Sequence, residues 1–132
     1  MSNEHTAAVL FTINLKPIAQ FYERVVGMHL RKSGDDHIVL EKNAFRLVVH
    51  QIPEPYAQAI VICAPPKVRE ASAIKLCFAV TSISRSREIA GGLGGCVYPP
   101  DREWEYDGTT VCDGWDPDGN PFQLFQFIAG NV

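Results

Sequence analysis

The same succession of predicted elements occurs twice along this chain of 132 residues. The residue pattern of each copy predicts a strand, then an amphipathic helix that ends at a glycine, and then three further short strands. This order of elements is a βαβββ pattern. The last strand of each copy carries a similar triplet, Phe-Arg-Leu at 45–47 and Phe-Gln-Leu at 122–124. A repeat of this kind predicts an α+β fold with pseudo-two-fold symmetry, in which matching positions of the two modules face each other.

Hydrophobic periodicity defines the first copy. Residues 7–15 are predicted to form an apolar strand, and Pro17 suits the first turn of a helix, where a missing N–H has no cost. Apolar residues then follow at i, i+3, i+4 and i+7 and form one helical stripe: Ile18, Phe21, Tyr22 and Val25. Gly27 is suited to end this helix. Short strands are predicted at about 28–32, 37–41 and 44–51.

Residues 52–73 carry four prolines and interrupt this rhythm. We predict a connector there, in which 59–63 could form a short strand of its own. The second copy then has a strand at 74–80, a helix at 82–93, and strands near 96–98, 109–115 and 121–127. Residues 99–108 are predicted as a polar loop. The prediction is therefore one domain, with module one at about 5–51 and module two at about 74–128.

Composition and charge exclude several classes of partner. The net charge is −3 and no basic run follows the chain, so a nucleic-acid partner is not expected. No apolar stretch approaches the length of a membrane span, and the N-terminus lacks the pattern of a signal peptide. The four cysteines are scattered without a CxxC pair, which favours free thiols in a reducing compartment. We predict a cytoplasmic protein without a membrane partner.

Four short motifs resemble the vicinal oxygen chelate superfamily, which includes glyoxalase I, the bleomycin resistance proteins and the extradiol dioxygenases. They are LKPIAQFY at 15–22, VGM at 26–28, AGGLGG at 90–95 and, most specifically, WDPDGN at 115–120. The resemblance spans about residues 7–127. It implies two βαβββ modules whose mixed sheets curl around a central cup. In the enzymes of the superfamily, a divalent metal binds in that cup on side chains from the first and last strand of each module.

The resemblance also implies where the metal ligands should lie. On this chain the four positions fall at Ala7, Arg46, Lys75 (give or take one residue) and Gln123. The glutamine could coordinate a metal, but the alanine has no donor atom, and two cations would repel a dication. We therefore expect no metal cofactor. The alternative is a metal-dependent lyase, isomerase or dioxygenase that uses displaced ligands such as His5 and His50.

Without a metal, the cup would hold polar groups inside an apolar lining, which is the usual composition of a small-molecule site. The predicted ligand-binding residues are Arg46, His50, Lys75, Gln123, Phe11, Trp104 and Tyr106. The two cations could bind a carboxylate or phosphate, and the aromatic residues of 99–108 could cover a ligand or pack against a partner subunit. In the structural alternative, Arg46 pairs with Glu41 or Asp113.

The function predicted from the sequence is metal-free binding of a small anionic or aromatic molecule. Among relatives, the bleomycin resistance proteins use the cup in this way and act as homodimers. We therefore also expect a homodimer.

Overall fold

A computed structural model describes residues 5–129 of the chain. The contacts divide the chain into two compact units, with the division between Ile62 and Cys63. Each unit contains one mixed sheet and one long helix in the predicted βαβββ order, so the α+β fold class is confirmed. No helix in this part of the chain is both long enough and apolar enough to cross a membrane.

The first unit contains one four-stranded sheet and one long helix. Its elements are β1 (Thr6–Thr12), α1 (Leu15–Val25), β2 (His29–Ser33), β3 (His37–Lys42) and β4 (Phe45–Gln51). The strand order is β1-β4-β3-β2, with β1 parallel to β4 and the other pairs antiparallel. The predicted apolar stripe of α1 is buried, and Ile18 and Phe21 have no exposed surface.

Strand β1 is shorter than the predicted 7–15. The Thr12 hydroxyl accepts a hydrogen bond from the Asn14 N–H at 2.8 Å, which turns the backbone out of the extended conformation. Helix α1 begins one residue later. It ends before Gly27, whose φ of +81° is readily adopted by glycine.

The connector contains a short helix, α2 (Glu54–Ala57), where no element was predicted. The short strand predicted at 59–63 is wrong. The N–H groups of Ala59 and Ile60 bond to the carbonyls of Tyr56 and Ala57, so the chain continues in tight turns. Prolines earlier and later in the connector also oppose strand pairing.

The second unit repeats the architecture with one additional strand. Its elements are β5 (Leu76–Ala79), α3 (Ile83–Gly92), β6 (Cys96–Val97), β7 (Trp104–Tyr106), β8 (Thr109–Trp115) and β9 (Pro121–Phe127). The strand order is β5-β9-β8-β6, and β7 also pairs with β8. The hydroxyl of Ser82 accepts from the Arg85 N–H at 3.1 Å and caps α3.

The prediction of a polar loop at 99–108 is wrong for residues 104–106, because they form β7, which pairs with β8 in a hairpin. Its two-residue turn consists of Asp107 and Gly108, with φ of 47° and 76°. Positive φ at both central positions matches the twist of the flanking strands, and Asp-Gly is a strong signal for such a turn. This dipeptide was the clue to the strand in the sequence.

The WDPDGN motif forms the turn before β9. The buried carboxylate of Asp116 accepts hydrogen bonds from the backbone N–H groups of Asp118 and Asn120, at 2.9 and 3.0 Å. Gly119 has a φ of +85°, and a Cβ at this position would lie 2.3 Å from the carbonyl oxygen of Lys67. The motif thus joins the connector to the second sheet.

Candidate ligand-binding site

Each sheet has one face packed on its helix and one face that the helix does not cover. In β9, Phe122 and Leu124 are buried on the helix side. Because side chains alternate along a strand, Gln123, Phe125 and Phe127 project from the other face. This assignment agrees with the alternation predicted from the sequence, and the polar residues discussed below lie on the same uncovered faces.

Within each unit, the strand register pairs residues at equivalent positions of the two modules in the same way. In the first unit, Ala7 is opposite Arg46, which in turn is opposite Glu41 on β3. The pairing repeats in the second unit, where Cys77 is opposite Gln123 and Gln123 is opposite Asp113. The position equivalent to Ala7 is therefore Cys77.

Lys75 lies two residues before that position and corresponds to His5 of the first unit. The expectation that this position falls at Lys75, give or take one residue, is therefore wrong, because β5 begins at Leu76, two residues later than the predicted residue 74. A shift of two residues preserves the face, so Lys75 still reaches the same group of polar side chains.

In the first unit, one carboxylate is surrounded by basic side chains. Glu41 Oε2 lies 3.1 Å from Arg46 Nε and 3.4 Å from Arg31 Nε, and its other oxygen lies 3.8 Å from His5 Nδ1. Burial alone would raise the pKa of Glu41, but the hydrogen bond from Arg46 and the two guanidinium charges lower it overall. Arg46 is thus paired with Glu41, as expected if its role is to form an ion pair within the fold.

His50 and Phe11 belong to a separate cluster at the far end of β4, about 13 Å along the strand from Arg46. The His50 Nδ1 lies 2.9 Å from the Gln51 carbonyl oxygen, and its ring stacks on His37 with centroids 6.1 Å apart. The Phe11 ring is 5.8 Å from His50 and 60% exposed. The Nδ1 of His37 lies 2.8 Å from Asp36, and this hydrogen bond lowers the pKa of Asp36.

In the second unit, four polar side chains form a chain of contacts that joins β8 and β9 to β5 and to Lys75, the residue immediately before β5. Lys75 Nζ lies 3.2 Å from Asp113 Oδ2, and the Gln123 amide nitrogen donates to Asp113 Oδ1 at 3.1 Å. The Cys77 thiol donates to the side-chain amide oxygen of Gln123, with Sγ 3.6 Å from Oε1. Burial raises the pKa of the Cys77 thiol; the charge of Lys75 acts against this and that of Asp113 reinforces it.

A pocket of about 360 Å³ opens beside this chain of contacts, on the same face of the sheet. It is lined by Cys77, Tyr106, Asp107, Thr109, Val111, Gln123, Phe125 and Phe127. Tyr106 and Phe127 are 71% and 52% exposed, and the rings of Phe125 and Phe127 meet edge to face with centroids 6.0 Å apart. These eight residues include three aromatic side chains, one carboxylate and no lysine or arginine. We refer to them as the module-two pocket.

An ion pair on the opposite face holds the hairpin that carries Tyr106. Arg87 of α3 donates to the Tyr98 carbonyl at 2.8 Å and forms a close ion pair with Glu103, immediately before β7. Trp104 is 42% exposed, outside the pocket lining, and pairs across the hairpin with Val111. Helix α3 is thereby connected to the wall of the pocket.

Comparison with known proteins identifies the family. A family model described as a glyoxalase-like domain matches residues 7–125. The chain belongs to the glyoxalase-like domain family. No protein of curated function matches this glyoxalase-like domain.

Solved structures share the fold at low sequence identity. An integron cassette protein from the mobile metagenome of V. cholerae is 24% identical, with 97% of each chain covered and a TM-score of 0.61. A glyoxalase/bleomycin resistance protein/dioxygenase family enzyme from Burkholderia phytofirmans PsJN is 16% identical, with 95% of this chain and 99% of that chain covered and a TM-score of 0.68. The fosfomycin resistance protein FosX from Listeria monocytogenes is 14% identical, with 99% and 96% covered and a TM-score of 0.65.

The residues of this glyoxalase-like domain do not fit the divalent metal that the superfamily resemblance implies. The first unit offers the methyl group of Ala7 and the paired guanidinium of Arg46, and neither has a lone pair for a metal. The second unit offers the Cys77 thiol and the Gln123 amide oxygen. Within residues 5–129, no group of three or more His, Cys, Asp or Glu side chains is arranged to hold a metal ion.

The structure divides the predicted ligand-binding residues among several places. Gln123 and Tyr106 line the module-two pocket, whereas Lys75 contacts it indirectly through Asp113. The first unit contains the other predicted polar and aromatic residues, Arg46, His50 and Phe11. The predicted set lacked the other six lining residues, although period-two alternation from Lys75 and from Gln123 places three of them, Cys77, Phe125 and Phe127, on this face.

Proposed function

We propose that this glyoxalase-like domain binds a small aromatic molecule in the module-two pocket and uses no metal. The observation that carries the proposal is the grouping of Tyr106, Phe125 and Phe127 in one pocket with a few polar groups, among them the amide of Gln123. A concave apolar surface with a few directed polar groups is the usual composition of a small-molecule site. Exposed aromatic side chains also provide a large contact area at low entropic cost.

The charges favour the aromatic ligand over the anionic one. The two cations predicted to attract an anion are each paired with a carboxylate, Arg46 with Glu41 and Lys75 with Asp113. The charged side chain in the pocket lining is Asp107, and a negative charge there opposes the binding of an anion. The affinity for an aromatic molecule then comes from burial of apolar surface.

Thiol protection tests the proposal directly, because Cys77 lines the pocket and is exposed. We expect an aromatic ligand such as indole to slow the alkylation of Cys77 by iodoacetamide, measured by peptide mass spectrometry. Cys63 is also exposed but lies in the connector, so its alkylation serves as an internal control. Equal rates with and without aromatic ligands would contradict the proposal.

A matched pair of variants adds an affinity measurement. Phe127→Ala removes an exposed aromatic wall of the pocket and should weaken binding about tenfold, since several apolar contacts are lost. Leu30→Ala removes a similarly exposed apolar side chain from β2 of the first unit and should leave the affinity unchanged. Calorimetry measures both, and an equal loss in the two variants would argue against this pocket.

Metal content separates the proposal from the alternative of a metal-dependent enzyme with displaced ligands. Protein purified without a chelator should contain less than stoichiometric zinc, nickel, manganese or iron by elemental analysis. A stoichiometric metal would instead support the enzyme.

We further propose a homodimer, supported by the exposed apolar side chains of Val9 and Phe11, which a second subunit could cover. Light scattering of the purified protein tests this assembly. The predicted cytoplasmic location is supported by four free cysteines and stays a prediction.

A further inference from the structure

The geometry points to a hydrogen-bond specificity in the module-two pocket: Asp113 orients the Gln123 amide so that the pocket selects aromatic molecules carrying an N–H or O–H donor. This inference rests on the proposed function, because it specifies the class of ligand for the same pocket. Asp113 is a positioning residue here, since it lies outside the pocket lining and acts through Gln123.

The orientation of the amide follows from the chemistry of its partner. A carboxylate accepts hydrogen bonds and has none to donate, so the amide must turn its NH₂ group toward Asp113. The Gln123 nitrogen lies 3.1 Å from Asp113 Oδ1. The carbonyl oxygen of the same amide therefore points the other way, toward Cys77 at 3.6 Å.

Lys75 fixes the carboxylate from the other side. Its ammonium group lies 3.2 Å from Asp113 Oδ2, the oxygen that Gln123 does not use. With one donor on each oxygen, Asp113 is held between Lys75 and Gln123, and the Gln123 amide has a defined direction. Charge-assisted hydrogen bonds of this kind are among the stronger ones in proteins.

The amide oxygen retains the capacity for a stronger partner. In the described part of the chain, the donor that reaches it is the Cys77 thiol, and a thiol is a weak donor. A ligand N–H or O–H placed in the pocket would provide a better hydrogen bond.

Other polar groups in the lining also accept hydrogen bonds. The Thr109 hydroxyl donates a hydrogen bond to the Tyr106 carbonyl at 2.5 Å, so toward a ligand it acts as an acceptor. Asp107 adds a carboxylate. A ligand acceptor placed at the Gln123 amide oxygen would face another acceptor and lose affinity. The Tyr106 hydroxyl can both donate and accept, so it does not discriminate between the two kinds of ligand.

Two bicyclic probes of similar size distinguish donor from acceptor. Indole carries one N–H donor, and 1-indanone carries one carbonyl acceptor. For the wild-type protein we expect indole to bind about tenfold more tightly than 1-indanone, as measured by calorimetry and by protection of Cys77 from alkylation.

The Asp113→Asn variant provides the decisive comparison, because it preserves shape and changes the hydrogen-bond pattern. Lys75 has donors alone, so it should hold the oxygen of the new amide and direct the new NH₂ group toward Gln123. Gln123 would then accept with its oxygen and turn its own NH₂ group into the pocket. We expect the preference to reverse in favour of 1-indanone, which a mere loss of stability would not produce.

The Glu105→Gln variant is the matched control. It also removes one carboxylate, but from the opposite face of β7, so the preference for indole should be unchanged. If both probes protect Cys77 with equal affinity, or if Asp113→Asn keeps the wild-type preference, the specificity inference is overturned while the pocket stands. If neither probe protects Cys77, the proposed function is overturned together with the inference.

Discussion

Replacement of Gly119 by alanine should destabilise the second unit strongly, because two separate effects act at this residue. Its φ of +85° belongs to the left-handed region, where a Cβ costs about 1 kcal/mol. The new Cβ would also lie 2.3 Å from the Lys67 carbonyl oxygen, so the connector backbone must move. That movement breaks the bond from the Arg69 N–H to the Gly119 carbonyl, now 2.9 Å, at a cost of about 1 kcal/mol.

Together these effects predict a loss of about 2 kcal/mol or more in the free energy of unfolding, before any strain from the clash is added. For a domain of this size, the midpoint of thermal unfolding should fall by roughly 8 °C. Circular dichroism during heating, with urea unfolding as a second measurement, gives both quantities.

Gly91→Ala is the control for the glycine substitution itself. A Cβ on Gly91 meets no atom within 4 Å, and the residue lies inside α3, where alanine is favoured over glycine by about 1 kcal/mol. This variant should therefore be slightly stabilised. If Gly119→Ala unfolds at the wild-type temperature, the close approach of the connector to this turn does not contribute to the free energy of unfolding.

The remaining predictions concern two ion pairs. Arg87→Met should lower the free energy of unfolding by about 1–2 kcal/mol, because Glu103 and the Tyr98 carbonyl lose their donor. The control is Arg85→Met on the exposed side of α3, which should change the free energy of unfolding little. Thermal melts compare the two variants. For Glu41, the lowered pKa means that its stabilising effect is fully present above about pH 4.3 and is lost as the pH falls through the lower folded value. The stability difference between the wild type and Glu41→Gln should therefore shrink from pH 6 to pH 3, and a constant difference in pH-dependent melts would contradict this assignment.

The sequence predicted the elements that a clear period defines. The stripe of α1 and the alternation of β9 both follow from side-chain burial on one face, and the structure confirms them. The hairpin strand β7 was not predicted, since three residues are too few to show a period and the signal lay in the Asp107-Gly108 turn.

The candidate site was only partly predictable. Alternation along a strand shows which face of the sheet a side chain occupies, but it does not show which other side chains it contacts. The face of Gln123 followed from the pattern of β9. The register that brings Cys77 opposite it depends on where β5 begins, and no local signal marks that residue. The carboxylate that pairs with Lys75 lies 38 residues away on another strand, beyond the reach of local patterns.

The internal pairing of Lys75 with Asp113 and of Arg46 with Glu41 has a consequence for the dependence of binding on ionic strength. Neither cation is left to attract a ligand from solution, so dissolved ions have no long-range attraction to screen. Lowering the ionic strength should therefore not strengthen the binding of an aromatic carboxylate, and it should leave the affinity for an uncharged aromatic molecule nearly unchanged.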